Sequence, residues 1–111
     1  MAPVHRVTMF KLPDTSAQQK LIEAYATLLK EQKKDGKPYI LHMTAGEAMA
    51  DPRSQGWTVV SKAEFANLED MRYYDEQCEA HAALRNYAKG LGIQGGPAGV
   101  MTVYYEAGAS L

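Results

Sequence analysis

Val4-His5-Arg6-Val7-Thr8-Met9-Phe10-Lys11-Leu12 decides the fold. The run is β-branched and extended and reads as a strand, with His5, Val7 and Met9 on one face and Arg6, Thr8 and Phe10 on the other. Pro13 and Asp14 stop it. Ser16 to Asp35 then carries Leu21, Ile22, Tyr25, Leu28 and Leu29, the stripe of an amphipathic helix. Asp14, Thr15 or Ser16 supplies its N-cap, Lys33 and Lys34 suit the negative end of its dipole, and Gly36 ends it.

Beyond Pro38, Tyr39, Leu41 and Met43 alternate with Ile40, His42 and Thr44, a second strand, and a polar loop runs from Gly46 to Gly56. Trp57 to Phe65 is the third strand, with Trp57, Val59, Ser61, Ala63 and Phe65 on one side. Lys62 and Glu64 on the other side mean that it cannot bury both faces in an apolar core. Asn67 caps a short helix through Tyr74, and a further helix runs from about Glu79 to Lys89, closed by Gly90 and Gly92. Gly95-Gly96-Pro97-Ala98-Gly99 is a turn, and Val100 to Tyr105 is the last strand.

The order β, α, β, β, α(α), β predicts an α+β, ferredoxin-like protomer: a four-stranded antiparallel sheet with helices on one face. The bare second face is most economically covered by the same face of another copy, which predicts a homodimer. Strand alternation assigns Arg6, Thr8, Val60, Lys62, Thr102 and Tyr104 to that dimer face.

Residues 1–111 read as one domain, and a domain of this size buries only about 60–65% of its unfolded surface, a modest core that a partner copy would extend. The chain is 46% hydrophobic, and 12 basic against 13 acidic residues give a net charge of −1, so it has no basic footprint for nucleic acid or an anionic membrane. Its apolar runs fall far short of the roughly 20 residues that span a bilayer. The single cysteine, Cys78, excludes an intramolecular disulfide, and MAPVHRVTMF lacks the apolar core of a signal peptide. The chain is expected to be soluble and cytoplasmic.

Proton chemistry is sought first in Tyr73-Tyr74-Asp75-Glu76-Gln77-Cys78-Glu79-Ala80-His81 and at His5, where two imidazoles and two phenols supply groups that move protons. Tyr73 and Tyr74 point to different sides of a helix, so at most one of them is expected at a site. Cys78 reads as an inert thiol. The three histidines form no close ligand pair for a metal, and the glycines near residue 95 lead into a strand instead of opening a helix, so neither a metal nor a phosphate cofactor is predicted.

The first strand, Gly46 after strand two, Gly56-Trp57 opening strand three, and the helix ending in Tyr73-Tyr74 with His81 beyond together resemble the stress-responsive dimeric α/β-barrel (Dabb) family. Members of that family include plant stress proteins and a plant cyclase that makes olivetolic acid from a linear tetraketide. By motif, the resemblance implies catalytic roles for His81 and Tyr74, supported by His5. The interval from Tyr74 to His81 is one residue longer than in that cyclase, so Tyr73 is an equal candidate for the phenol. The resemblance and the strand alternation together imply a substrate cavity lined by His5, Val7, Met9, Leu21, Ile22, Tyr25, Trp57, Val59, Met101 and Val103. His42 lies on the other parity and is expected at the dimer barrel or in solvent.

Two readings from different classes follow. In one, the protein is a cofactor-free cyclase or lyase acting on a polyketide-like β-dicarbonyl, with His81 as base and a tyrosine phenol steadying the developing alkoxide. The imidazole is expected to titrate near 6.5 if nothing perturbs it. In the other, it is a non-catalytic stress-associated barrel that binds a small apolar molecule.

Overall fold

The structure, a computed structural model that describes residues 2–111, runs through β1 (Val4–Phe10), α1 (Thr15–Glu31), β2 (Ile40–Glu47), β3 (Val59–Phe65), α2 (Leu68–Glu76), α3 (Glu79–Ala88) and β4 (Val100–Glu106). The strands pair antiparallel in the order β2-β3-β1-β4, the ferredoxin-like topology, with β1 in the interior of the sheet. No helix among the described residues is long and apolar enough to cross a membrane.

Local chemistry sets the boundaries. Asp14 accepts a hydrogen bond from the Ala17 N–H at 2.9 Å and caps α1. The helix ends at Glu31, four residues short of the sequence expectation, because Gln32 turns to extended backbone and its side-chain oxygen accepts from the N–H groups of Tyr39 and Ile40. Gly36, expected to end the helix, instead sits with Asp35 in a left-handed turn that folds Lys34 back onto Lys37. In β2 a bulge at Leu41 lets Ile40 and Met43 both face inward and leaves Leu41 and His42 exposed.

The faces of β1 are the reverse of the sequence expectation. Val4, Arg6, Thr8 and Phe10 lie beneath the helices, where all four are buried, and His5, Val7 and Met9 point outward. Register carries this across the sheet: Thr8 is opposite Ser61 and Thr102, whereas Val7 is opposite Lys62 and Val103, and Met9 is opposite Val60 and Met101. Of the residues assigned to the dimer face, only Val60 and Lys62 are therefore on the outward side; Arg6, Thr8, Thr102 and Tyr104 share the helix side. The physical reason is that Arg6 and Thr8 find partners under the helices, the Asp75 carboxylate at 2.8 Å and the Thr102 hydroxyl at 2.9 Å, so their polarity does not expel them.

The core lies between helices and sheet. Leu21, Tyr25 and Leu28 of α1, Val59 and Phe65 of β3, Met71 and Tyr74 of α2, and Leu84 of α3 pack there with Leu12. Each fully buried Leu is worth about 1.5–3 kcal/mol. Beside it, Gly99 ties the start of β4 to the end of β1: its carbonyl accepts from the Lys11 N–H at 2.8 Å, and a Cβ there would overlap the Gln94 carbonyl and stand 2.7 Å from Ile93 Cγ2.

Candidate functional site

A cavity of about 620 Å³ opens between the helices and the β1–β4 side of the sheet. Arg6, Thr8 and Phe10 reach it from β1, Thr102 from β4, Tyr25 from α1 and His81 from α3.

His81 is held by the break between α2 and α3. The N–H groups of Gln77 and Cys78 both donate to the Tyr73 carbonyl, which frees the Tyr74 carbonyl from its helical partner. His81 Nδ1 lies 2.8 Å from that Tyr74 oxygen. A carbonyl only accepts, so Nδ1 carries the hydrogen and Nε2 keeps its lone pair. The imidazole also stacks on the Tyr74 ring at 3.7 Å with the planes 12° apart. Its residue is 3% exposed, and burial pushes its pKa down to about 4, with the Arg6 and Arg85 charges adding to the effect and the Tyr74 carbonyl and Asp75 opposing it. At neutral pH the ring is an uncharged base.

Tyr74 itself is fully buried, its hydroxyl has no partner among the described residues, and burial raises its pKa. It supports His81 from behind and does not line the cavity. The phenol that does is Tyr25, whose oxygen accepts from Ser61 Oγ at 3.0 Å and whose own proton remains available. Burial raises the Tyr25 pKa, so the phenol stays protonated and donates.

The other sequence candidates lie elsewhere. His5 is on the outward sheet face, stacked on Tyr105 at 5.1 Å and 3.5 Å from a Glu64 oxygen, across the sheet from His81. Tyr73 packs edge-on against Tyr39 at 5.3 Å, with the Lys34 ammonium 5.6 Å above its ring. It borders a separate surface hollow with Cys78, away from the imidazole. Val7, Met9, Met101 and Val103 are outward. Leu21 and Val59 are sealed in the core, Ile22 packs at its margin, and Trp57 lies under the Lys11 ammonium at 4.9 Å. Tyr25 alone of the expected binding residues lines this cavity. Arg6, Thr8, Phe10, Leu84 and Thr102 were missed. The available signal was a cation in the middle of a strand whose ends, Val4 and Phe10, are apolar on the same parity.

Fold and cavity together define a ferredoxin-like domain with a ligand-sized chamber on the helix side of its sheet and a neutral imidazole in the chamber wall. The chain belongs to the family described as the Stress responsive A/B Barrel Domain, whose sequence pattern matches residues 4–91. A "Fusaristatin A biosynthesis cluster protein" of Gibberella zeae is 41% identical over 107 residues, which cover 96% of this chain and 75% of that protein. Among solved structures, a dimeric ferredoxin-like protein of unknown function from Jannaschia sp. CCS1 superposes with a TM-score of 0.75 at 16% identity, covering 95% of this chain and 99% of that one. The hydroxynitrile lyase of Passiflora edulis gives a TM-score of 0.75 at 10% identity over 99% of this chain and 97% of its own.

Proposed function

We propose that the protein is a cofactor-independent cyclase or lyase acting on a polyketide-like β-dicarbonyl, with His81 as the general base. The observation that carries this reading is the tautomer: the Tyr74 carbonyl takes the Nδ1 hydrogen, and the free lone pair of Nε2 belongs to a ring in the cavity wall. A methylene between two carbonyls is acidified by both, which a base held at a pKa of about 4 requires. Nε2 takes one of its protons, and the electron pair moves into an enolate. The enolate carbon then forms a bond to a second carbonyl carbon of the same chain, whose oxygen becomes an alkoxide and recovers the proton from the imidazolium. Tyr25 donates a hydrogen bond to that oxygen as its charge develops. Apolar walls from Phe10, Leu84 and Val100 fold the chain so that its reacting carbons meet.

The relative in a biosynthesis cluster and the lyase of like fold lend support. The protein acts as a homodimer, with the apolar outward face of Val7, Met9, Met101 and Val103 covered by a second copy. The test is ring closure of a synthetic linear 3,5,7-trioxo ester, followed by absorbance and by loss of its methylene protons. His81→Gln should lower the rate about 10²–10⁴-fold with the fold intact. If the wild-type chain binds the ester without accelerating closure, the protein is a small-molecule-binding barrel and the catalytic reading fails.

A further inference from the structure

We propose that this cavity selects an anionic ligand, an apolar chain ending in a carboxylate, and that Arg6 is the residue that selects the carboxylate. The inference rests on reading the cavity as the substrate site and adds the class of molecule the site prefers. Among the described residues three cations line it, Arg6, Arg85 and Lys89, and no Asp or Glu does. The chain as a whole has a net charge of −1, so the excess of positive charge is local to this chamber.

Arg6 is the member that a surface role does not explain. It is 7% exposed, in the interior of the sheet. A guanidinium has five N–H donors, and among the described residues Arg6 commits two of them, Nη1 to Thr8 Oγ1 and Nη2 to Asp75 Oδ1, each at 2.8 Å. Nε is sealed in protein with no partner among the described residues, so its N–H does not open on the cavity. Asp75 balances the charge, but it lies outside the cavity lining and is part-exposed. The second N–H of each Nη is uncommitted among the described residues, and a neutral apolar ligand that displaced water from the chamber would leave such a donor unpaired at a cost. A carboxylate is the planar two-oxygen acceptor that fits a guanidinium fork. Arg85 and Lys89, both exposed at the cavity, add attraction at longer range.

The experiment titrates the 111-residue chain with octanoate and with methyl octanoate, reading affinity by calorimetry and amide shifts. Octanoate should bind about 10–100-fold more tightly than its ester, the ratio that charge-assisted hydrogen bonds supply. Arg6→Met should bring that ratio down to the few-fold that Arg85 and Lys89 supply. Lys89→Met, at an exposed position, should weaken octanoate a few-fold and leave the ester unchanged. Should Arg6→Met fail to fold, Arg6→Lys keeps the charge without the fork and should leave a reduced preference for the acid. Equal affinity of the wild-type chain for acid and ester, or a ratio undiminished in Arg6→Met or Arg6→Lys, overturns the proposal. The two readings fail separately. A ratio of one with His81-dependent ring closure sinks only the carboxylate preference, and a full ratio with wild-type closure by His81→Gln sinks only the catalytic role.

Discussion

Acid should destabilise the fold through His81, by an amount set by the surroundings of the ring. Burial first, then the Arg6 and Arg85 charges, hold its pKa at about 4 in the folded chain, against an ordinary value near 6.5 when unfolded. The unfolded chain thus binds the proton first. The stability that neutral His81 represents is complete above about pH 6.5 and is lost as pH falls from there toward 4. A difference of about 2.5 pKa units corresponds to roughly 3 kcal/mol, of which about 2 kcal/mol is gone by pH 5. Domains of this kind have about 5–15 kcal/mol in total, so the loss is readily measured. Urea unfolding followed by circular dichroism at pH 7.5, 6 and 5, at one protein concentration, should be run on the wild-type chain and on His81→Gln. Glutamine does not titrate, and every other ionisable group is common to both chains. The difference between the two curves therefore isolates His81, and the wild type should lose about 2 kcal/mol more than the variant between pH 7.5 and 5. Parallel curves would refute the burial of a neutral imidazole, and with it the free Nε2 lone pair.

The same shift fixes the acid limb of catalysis: kcat/KM for ring closure, which reports the free enzyme, should hold from pH 8 downward and halve only near pH 4, whereas a limb at 6.5 would mean a hydrated ring. Tyr25→Phe should lower kcat about 10-fold or more with little change in KM, because its hydrogen bond forms with the alkoxide; an unchanged kcat would remove Tyr25 from the site. Tyr74→Phe should leave folding unchanged or improve it by up to about 1 kcal/mol, since it deletes a buried hydroxyl without a partner among the described residues, and denaturation that showed a loss above about 1 kcal/mol would reveal a bond to that oxygen. Val103→Asp on the outward sheet face should yield a monomer in light scattering at micromolar concentration, and a persistent dimer would mean that association uses another surface.

The element order could be read from the sequence because each strand and helix carries its own period and its own stop: Pro13 after β1, the Asp14 cap of α1, the Asn67 cap of α2. Which face of β1 turns inward could not be read, because that depends on partners far along the chain. Arg6 is buried only because Asp75, 69 residues away, and Thr8, itself bonded to Thr102, receive its donors. The sequence rule that sends polar residues outward then sends the apolar set, Val7 and Met9, inward, and the error propagates through the register to Met101 and Val103. The site divides in the same way. His81 stands out as an imidazole at a helix start, yet its tautomer follows from how the Gln77 and Cys78 N–H groups share one carbonyl, which no spacing rule encodes. Tyr73 and Tyr74 are adjacent residues about 100° apart around a helix, and only the packing of α2 on Phe65 and His81 chooses Tyr74 for the interior. The residues most easily misplaced from sequence are the buried polar ones of the central strand. An apolar cavity can direct a reaction only if some such group is held inside it, so the exception to the burial rule and the candidate site coincide at Arg6.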